Sequence, residues 1–211
     1  EEFYWNRDAI NIKADVTDYK IMRNCMTDLD YVFHLAAESR LQPAIENPIE
    51  AIVKNCVGTT TVLQCAREAG VKKVMYSSTS SGYGMNSYPN VETQPDDCLN
   101  PYSASKVAAE KFCKMYTDLY GLKTVVFRYF NVYGERSPVF GQYAPVIGIF
   151  LKQKNEGQPL TIVGDGSQRR DFIHVKDVAA ANILAATADI PEEYYGQVFN
   201  IGSSDSISIQ E

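Results

Sequence analysis

Short apolar runs alternate with longer helical stretches along most of the chain. The central runs read YVFHL, KVMYS and KTVVFRY, and their lack of polar alternation is typical of parallel strands that are buried on both faces. With three weaker segments they predict strands at residues 10–14, 31–35, 73–77, 123–129, 160–163 and 198–201.

Start and stop signals predict helices between these strands. The helices fall at about 18–27, 48–69, 101–120, 143–155 and 176–188, and residues 203–211 are predicted to begin another. Thr17 is the predicted N-cap of the first helix, and Gly70 and Gly121 are the predicted C-terminal caps of the two longest ones.

This order of elements predicts a doubly wound α/β fold, a parallel sheet with helices on both faces. The stretch 134–170 is rich in Gly, Pro and Gln, which indicates a small separate lobe. We therefore divide the chain into a main domain (1–133), part of a lobe (134–170), a return to the main domain (171–202) and the start of a C-terminal region (203–211).

Ligands of such sheets bind at the carboxyl ends of the strands. The sequence has polar loops at three of these ends, at residues 36–39, 77–84 and 130–136. These loops are the predicted binding region.

Composition narrows the classes of function. The net charge of −6, without any basic run, argues against a nucleic-acid partner, and no apolar stretch is long enough to span a membrane. The five scattered cysteines indicate reduced thiols and a cytoplasmic protein. Two histidines in different segments cannot form a zinc site, so we expect no metal.

Tyr102 and Lys106 are four residues apart in a predicted helix, so their side chains lie on one face, one turn apart. A nearby ammonium favours the ionised form of a phenol and can help it to act as a base. In a chain with 14 tyrosines, about one such pair is expected by chance, so the spacing alone leaves an exposed helical pair as the alternative.

Other polar residues at the strand ends have two interpretations each. Thr79 can share a substrate proton with Tyr102, or it can belong to a polar surface loop. Asn131 can bind a ligand or form a turn, and Arg170 can grip a diphosphate or pair with Asp171.

Three further residues carry weaker signals. Asp15 can accept a hydrogen bond from an adenine amine or cap a turn. His34 and His174 lie in apolar runs, which favours core histidines over catalytic ones.

Six motifs in order resemble the extended short-chain dehydrogenases/reductases, in particular their nucleotide-sugar epimerase/dehydratase branch. They read HLAA (34–37), NCVGT (55–59), YSSTSSGYG (76–84), NPYSASK (100–106), RYFNVYG (128–134) and GDGSQRRDFIHVKDV (164–178). The resemblance implies a Rossmann domain that binds NAD, followed by part of a substrate-binding lobe.

The resemblance also implies roles for individual residues. The implied catalytic residues are Thr79, Tyr102 and Lys106, with Tyr102 as the base and Lys106 lowering its pKa. The implied cofactor-binding residues are Asp15, Val16, Leu35, Ala36, Ala37, Ser39, Asn55, Ser77, Ser78, Tyr102, Lys106, Tyr129 and Phe130. The implied substrate-binding residues are Thr79, Asn131 and Arg170.

By the same resemblance we expect NAD-dependent epimerisation at C4 of a UDP-sugar through a 4-keto intermediate. A homodimer through the helices 48–69 and 101–120 is also implied, with Phe112, Met115 and Tyr116 as apolar surface.

Two departures from the family pattern keep alternatives open. The chain contains no first strand with a glycine-rich turn, so it is expected to be an interior segment that by itself binds NAD poorly. Ser80 and Ser81 occupy positions where dehydratases and decarboxylases of this family carry acids, which favours epimerisation. A dehydratase or reductase of the same fold and a non-catalytic fragment remain the alternatives. Gly82, where the family usually has valine, is expected to loosen the loop.

Overall fold

A parallel sheet of four strands, flanked by helices, forms the centre of the molecule. The computed structural model describes residues 6–139 and 144–211. The strands are β1 (Tyr31–His34), β2 (Lys73–Thr79), β3 (Thr124–Tyr129), β4 (Asn131–Tyr133), β5 (Arg169–Arg170), β6 (Phe172–His174), β7 (Val198–Ile201) and β8 (Ile207–Ser208).

The helices cover both faces of this sheet. They are α1 (Tyr19–Cys25), α2 (Leu41–Glu46), α3 (Pro48–Ile52), α4 (Gly58–Ala69), α5 (Pro101–Tyr120), α6 (Val146–Asn155) and α7 (Val175–Thr187). A π-helical turn (Val53–Val57) joins α3 to α4, and 3₁₀ turns cover Ser80–Tyr83 and Glu192–Tyr194. No helix within the described ranges is both long and apolar enough to cross a bilayer.

The strand order in the main sheet is β1-β2-β3-β7, and every pair is parallel. Side chains alternate between two cores: Val74 and Tyr76 face the cluster beneath α4 and α5, while Met75 faces the cluster beneath α7. The doubly wound α/β fold is therefore confirmed. The parallel register pairs Thr79 with Tyr129, so polar side chains of β2 and β3 reach the same edge.

Three predictions in the amino-terminal half need correction. Residues 10–14 form no strand, because they are exposed and pair with no other strand in the described part of the chain. Asp18, and not Thr17, caps α1, since its carboxylate accepts the N–H of Ile21 at 3.0 Å. The predicted helix 48–69 contains a π-helical turn, and α2 before it was missed.

Two predictions towards the carboxyl end are wrong as well. Residues 160–163 form no strand, and 203–211 begin no helix. The Asp171 carboxylate accepts the N–H groups of Ser203 and Ser204 at 2.8 and 3.1 Å, which fixes this segment in an extended path before β8 pairs with β5. The predicted helix 143–155 is observed as α6; its first predicted residue, 143, lies outside the described residues.

The lobe boundaries stay a prediction. The strands on either side of 134–170, β4 and β6, are parallel neighbours, with Asn131 opposite Phe172. The chain thus leaves from one strand and returns to its direct neighbour, as it would around an inserted segment.

Gly82 holds the loop after β2 close to α5. It is buried, and a Cβ at this position would lie 2.7 Å from Val107 Cγ2 and 3.6 Å from Arg128 Cζ. The expectation that Gly82 loosens the loop is therefore wrong, since the missing side chain permits a tight contact.

We expect Gly82→Ala to lower the free energy of unfolding by about 1–3 kcal/mol, because the added methyl group overpacks this contact. Urea denaturation measures the loss. In a Val107→Ala background the same change should cost much less, because the clashing methyl group is gone. An equal loss in both backgrounds would contradict the proposed contact.

Candidate active site

Asn100 sets the point at which α5 begins. Its side-chain oxygen accepts the N–H of Ser103 at 2.8 Å, and Pro101 occupies the first helical position. Tyr102 therefore lies in the first turn of α5, and Lys106 lies one turn further along.

The structure brings Thr79 and Tyr102 together. Thr79 ends β2, and its hydroxyl oxygen accepts the Ser81 N–H at 3.1 Å. It is also close enough to the phenol of Tyr102 to lower the pKa of that group. The Thr79 hydroxyl keeps its own proton and one further lone pair, so it can donate a hydrogen bond to a phenolate oxygen. Their catalytic roles stay predictions.

Burial raises the pKa of Tyr102, and the hydrogen bond from Thr79 opposes this shift only in part. No lowering of the pKa of Tyr102 by Lys106 is seen among the described residues, and this role of Lys106 stays a prediction. The Lys106 Nζ atom lies over the ring of Tyr76, 4.4 Å from its centroid. Burial also lowers the pKa of Lys106 to about 8.

A buried ion pair lies beneath these groups, and sequence reasoning missed it. Arg128 of β3 donates from Nε and Nη2 to the two carboxylate oxygens of Glu110, at 2.9 and 2.6 Å. Glu110 also accepts the hydroxyl proton of Ser78, next to Thr79. Arg128 bonds Asp96 at 2.5 Å and stacks on Tyr83.

This network joins three elements that carry the candidate site: the end of β2, the end of β3 and helix α5. Both side chains of the central pair are almost fully buried, with 2% and 1% of their surface exposed. The one available signal was the charged Glu110, four residues after Lys106 on a helix with an apolar face.

Asp15 and Val16 precede α1. The Asp15 carboxylate accepts the N–H and the hydroxyl of Thr17 at 2.9 and 2.7 Å, and these bonds lower its pKa. Asp15 is thus a turn aspartate in this structure. Val16 packs on Gly58, where a Cβ would lie 2.8 Å from its methyl group.

The loop after β1 is held by Asn55. The amide of Asn55 donates to the Glu38 carbonyl at 3.0 Å and to Ser105 Oγ at 2.9 Å, and its oxygen accepts the Glu38 N–H at 2.7 Å. Asn55 therefore acts in this structure as a positioning residue. The loop itself contributes the predicted cofactor residues Leu35, Ala36, Ala37 and Ser39, of which only Ala37 is half-buried.

The remaining predicted cofactor residues lie at the ends of β2 and β3. Ser77 Oγ lies 3.1 Å from the Tyr129 hydroxyl, which also accepts a hydrogen bond from the Asn182 amide at 2.7 Å. Ser78 is bound to Glu110, and the Phe130 ring lies 6.5 Å from that of Tyr83. Asn182, on α7, was not found from the sequence.

The predicted substrate residues Asn131 and Arg170 flank Asp171. The Asn131 amide donates to the Asp171 carbonyl at 2.7 Å. Arg170 is exposed and forms no ion pair with any described carboxylate, because the Asp171 carboxylate is bound to Ser203 and Ser204. The surface ion pair between Arg170 and Asp171 is therefore not formed.

The histidines have structural roles. His34 is buried, its Nε2 lies 2.9 Å from Thr59 Oγ1, and burial lowers its pKa to about 3. His174 caps α7 by accepting the Lys176 N–H at 3.2 Å, so it is a capping and not a core residue. The described residues contain no cluster of three or more potential metal ligands.

Comparison with known proteins identifies relatives of this chain. Residues 2–202 match the model of the NAD dependent epimerase/dehydratase family. The chain is 34% identical over 98% of its length to a putative UDP-glucose 4-epimerase of Methanocaldococcus jannaschii. It is 38% identical over 95% of its length to a UDP-N-acetyl-alpha-D-glucosaminuronate decarboxylase of Bacillus cytotoxicus.

A solved structure is similar in fold as well. The UDP-glucose 4-epimerase of Thermotoga maritima, crystallised with UDP-glucose, superposes with a TM-score of 0.90 at 33% identity over 98% of this chain. The chain spans 68% and 62% of the lengths of the two relatives and 66% of the solved chain.

The residues present fit the nicotinamide-ribose half of NAD. Lys106 has no ion pair with a carboxylate of the described residues, so its N–H donors are available to ribose hydroxyls near Tyr102. The 211 residues contain no glycine-rich turn for the diphosphate half.

The buried ion pair gives a testable prediction. Arg128→Met leaves the Glu110 carboxylate buried without its partner and should lower the free energy of unfolding by about 3–5 kcal/mol. The double variant Arg128→Met/Glu110→Leu should lose clearly less than the sum of the two single variants. Denaturant unfolding measures all three, and strictly additive losses would contradict the coupling.

Proposed function

The chain belongs to the NAD-dependent epimerase/dehydratase family, and from this premise we propose that it acts in epimerisation at C4 of a UDP-sugar, with NAD as cofactor. One observation carries the proposal: Thr79 interacts with Tyr102 and lowers its pKa, and the two residues that follow Thr79, Ser80 and Ser81, provide no acid for elimination. UDP-sugar enzymes among the relatives support the substrate class.

Tyr102 is the proposed base for the 4-hydroxyl of the sugar. A tyrosine that acts near neutral pH needs its pKa lowered by roughly 3 units, or ~4 kcal/mol, and burial here acts in the opposite direction. Thr79 stabilises the phenolate by donating its hydroxyl proton. NAD, when bound, supplies a positive charge beside the phenol and takes up and returns the hydride of C4.

Arg170 is the proposed contact for the diphosphate of the sugar nucleotide. Its guanidinium is exposed and unpaired with any described carboxylate, and it presents parallel N–H donors that suit phosphate oxygens. Asn131 on β4, whose amide already donates to the carbonyl of Asp171 next to Arg170, would contribute a further polar contact.

Two alternative functions can be distinguished from the proposed epimerisation by specific features. A dehydratase or decarboxylase of this fold is the nearer alternative, since a decarboxylase is among the relatives. It requires an acid near the sugar, whereas Ser81 is exposed and Ser80 half-buried with neutral hydroxyls. The second alternative is that the chain is a non-catalytic fragment that cannot hold NAD. In that case, the purified protein should show no nicotinamide absorbance.

We also propose a homodimer through α3, α4 and α5. The helices α3 and α4 and the π-helical turn between them pack against α5. Together they expose the apolar side chains Ile49, Ile52, Val53, Val57, Met115 and Leu119. Tyr116, expected on this surface, is buried and donates to Gln64 at 3.0 Å, so it contributes little to the proposed interface.

All five cysteines are free, which supports a reducing compartment such as the cytoplasm.

Tyr102→Phe should lower turnover of a UDP-sugar by about 10²-fold or more, because the hydroxyl that exchanges the proton is lost. Binding of the sugar nucleotide should change little. Tyr88→Phe, at a tyrosine that is 83% exposed, is the matched control and should leave turnover unchanged. A coupled assay of the epimeric product measures turnover, and calorimetry measures binding of the sugar nucleotide. Turnover of Tyr102→Phe within tenfold of that of the parent protein would refute the assignment of Tyr102 as the base.

Leu119→Asp should convert the dimer into a monomer, because it places a charge in the proposed apolar interface; Leu119 is 66% exposed. Light scattering measures the molar mass. Leu184→Asp, on α7 and also 66% exposed, is the control outside this face and should remain dimeric. A monomeric parent protein would rule out the proposed interface.

A further inference from the structure

Lys106 lacks the partner that its position on α5 would ordinarily provide. Glu110, four residues further along the helix, is placed for an i,i+4 ion pair. Its carboxylate oxygens are instead bound by Arg128 and Ser78. No carboxylate of the described residues lies within ion-pair distance of Lys106 Nζ, although only 3% of the residue is exposed.

The ring of Tyr76 occupies this place. Lys106 Nζ lies 4.4 Å from the ring centroid, within the range of a cation–π contact. Tyr76 is 1% exposed, and its hydroxyl donates to the Lys106 carbonyl at 3.4 Å. The ring of His34 packs against it with centroids 5.6 Å apart, so the face cannot turn away easily.

We propose that Tyr76 is a positioning residue for Lys106, and that the face of its ring holds the ammonium in the buried site where a carboxylate would otherwise bind it. The contact itself rests only on the geometry of β2 and α5. Its consequence for catalysis rests on the proposed function.

An aromatic face differs from a carboxylate in what it leaves free. A carboxylate would take up N–H donors of the ammonium and cancel its charge. A ring attracts the ammonium through its quadrupole and takes up none of these donors in a conventional hydrogen bond. Lys106 is thus oriented while its N–H groups stay available to hydroxyl groups of a ligand.

The surroundings otherwise disfavour the charge of Lys106. Burial lowers its pKa to about 8, while the negative charge of Glu110 on α5 acts in the opposite direction. The thiols of Cys113 on α5 and Cys56 on the π-helical turn also face Lys106, but burial raises their own pKa values and keeps them neutral. His34 on β1 is neutral, because burial and the charge of Lys106 lower its pKa to about 3. The negative face of the Tyr76 ring therefore stabilises an ammonium that lacks a strong ionic partner.

The negative charge on the face of the ring at position 76 can be varied while the shape of the side chain stays nearly constant. Tyr76→Phe is the reference, and position 76 is then filled with mono-, di- and trifluorinated phenylalanine, which progressively weaken the negative face. The pKa of Lys106 is followed in protein without added cofactor by NMR of ¹³C-labelled lysine, with the resonance identified by its loss in Lys106→Arg. We expect the pKa to fall stepwise, by about one pH unit over the series.

The same fluorinated series at Phe127 is the control. Phe127 is buried in the core on the other face of the sheet. Fluorinated residues at this position should therefore leave the titration of Lys106 unchanged. A Lys106 pKa that stays constant across the series at position 76 overturns the proposal, as does an equal shift with Phe127.

Activity gives a separate measurement. If the proposed function holds, the alkaline limb of the kcat/KM profile should move to lower pH in the same order as the Lys106 pKa. A protein whose Lys106 titration follows the series but which turns over no UDP-sugar would refute the proposed function and leave the positioning role of Tyr76 standing.

Discussion

The arrangement of the site depends on the buried ion pair between Arg128 and Glu110. Two charges are withdrawn from water, and two-point hydrogen bonding with further bonds to Ser78 and Asp96 offsets part of this cost, while Arg128 Nη1 stays buried without a partner. The pair joins β3 to α5, and the bond from Ser78 to Glu110 ties β2 to the same helix, so the strand that carries Thr79 is linked to the helix that carries Tyr102. The loop with Gly82 then packs against the same arginine.

Burial drives the two ionisable groups of α5 towards their neutral forms. The pKa of Tyr102 is raised and that of Lys106 is lowered, both with desolvation as the largest cause. The protein residues alone therefore do not make Tyr102 a base near neutral pH. In the proposed function, the charge of the cofactor changes this balance, while Thr79 and Tyr76 keep the phenol and the ammonium in place.

The strongest local signals predicted the fold well. Buried apolar runs located β1, β2 and β3, and Pro and Gly located the ends of α5. Of the three weaker segments, only 198–201 is observed as a strand, β7. Weak segments failed where a remote contact decided the outcome. Residues 10–14 have strand-like composition but no hydrogen-bonded neighbour among the described residues, and Asp171 binds the backbone of 203–204 in an extended conformation that excludes a helix.

The sequence by itself determined the one-turn spacing of Tyr102 and Lys106, the presence of Thr79 near the end of a buried strand, and the absence of an acid at positions 80 and 81. These are local properties of residue type and spacing. Only the tertiary structure decided that Glu110 binds Arg128 and leaves Lys106 to the ring of Tyr76. It also decided the directions of the pKa shifts, because burial and contacts between segments far apart in sequence are not encoded in any single stretch of the chain.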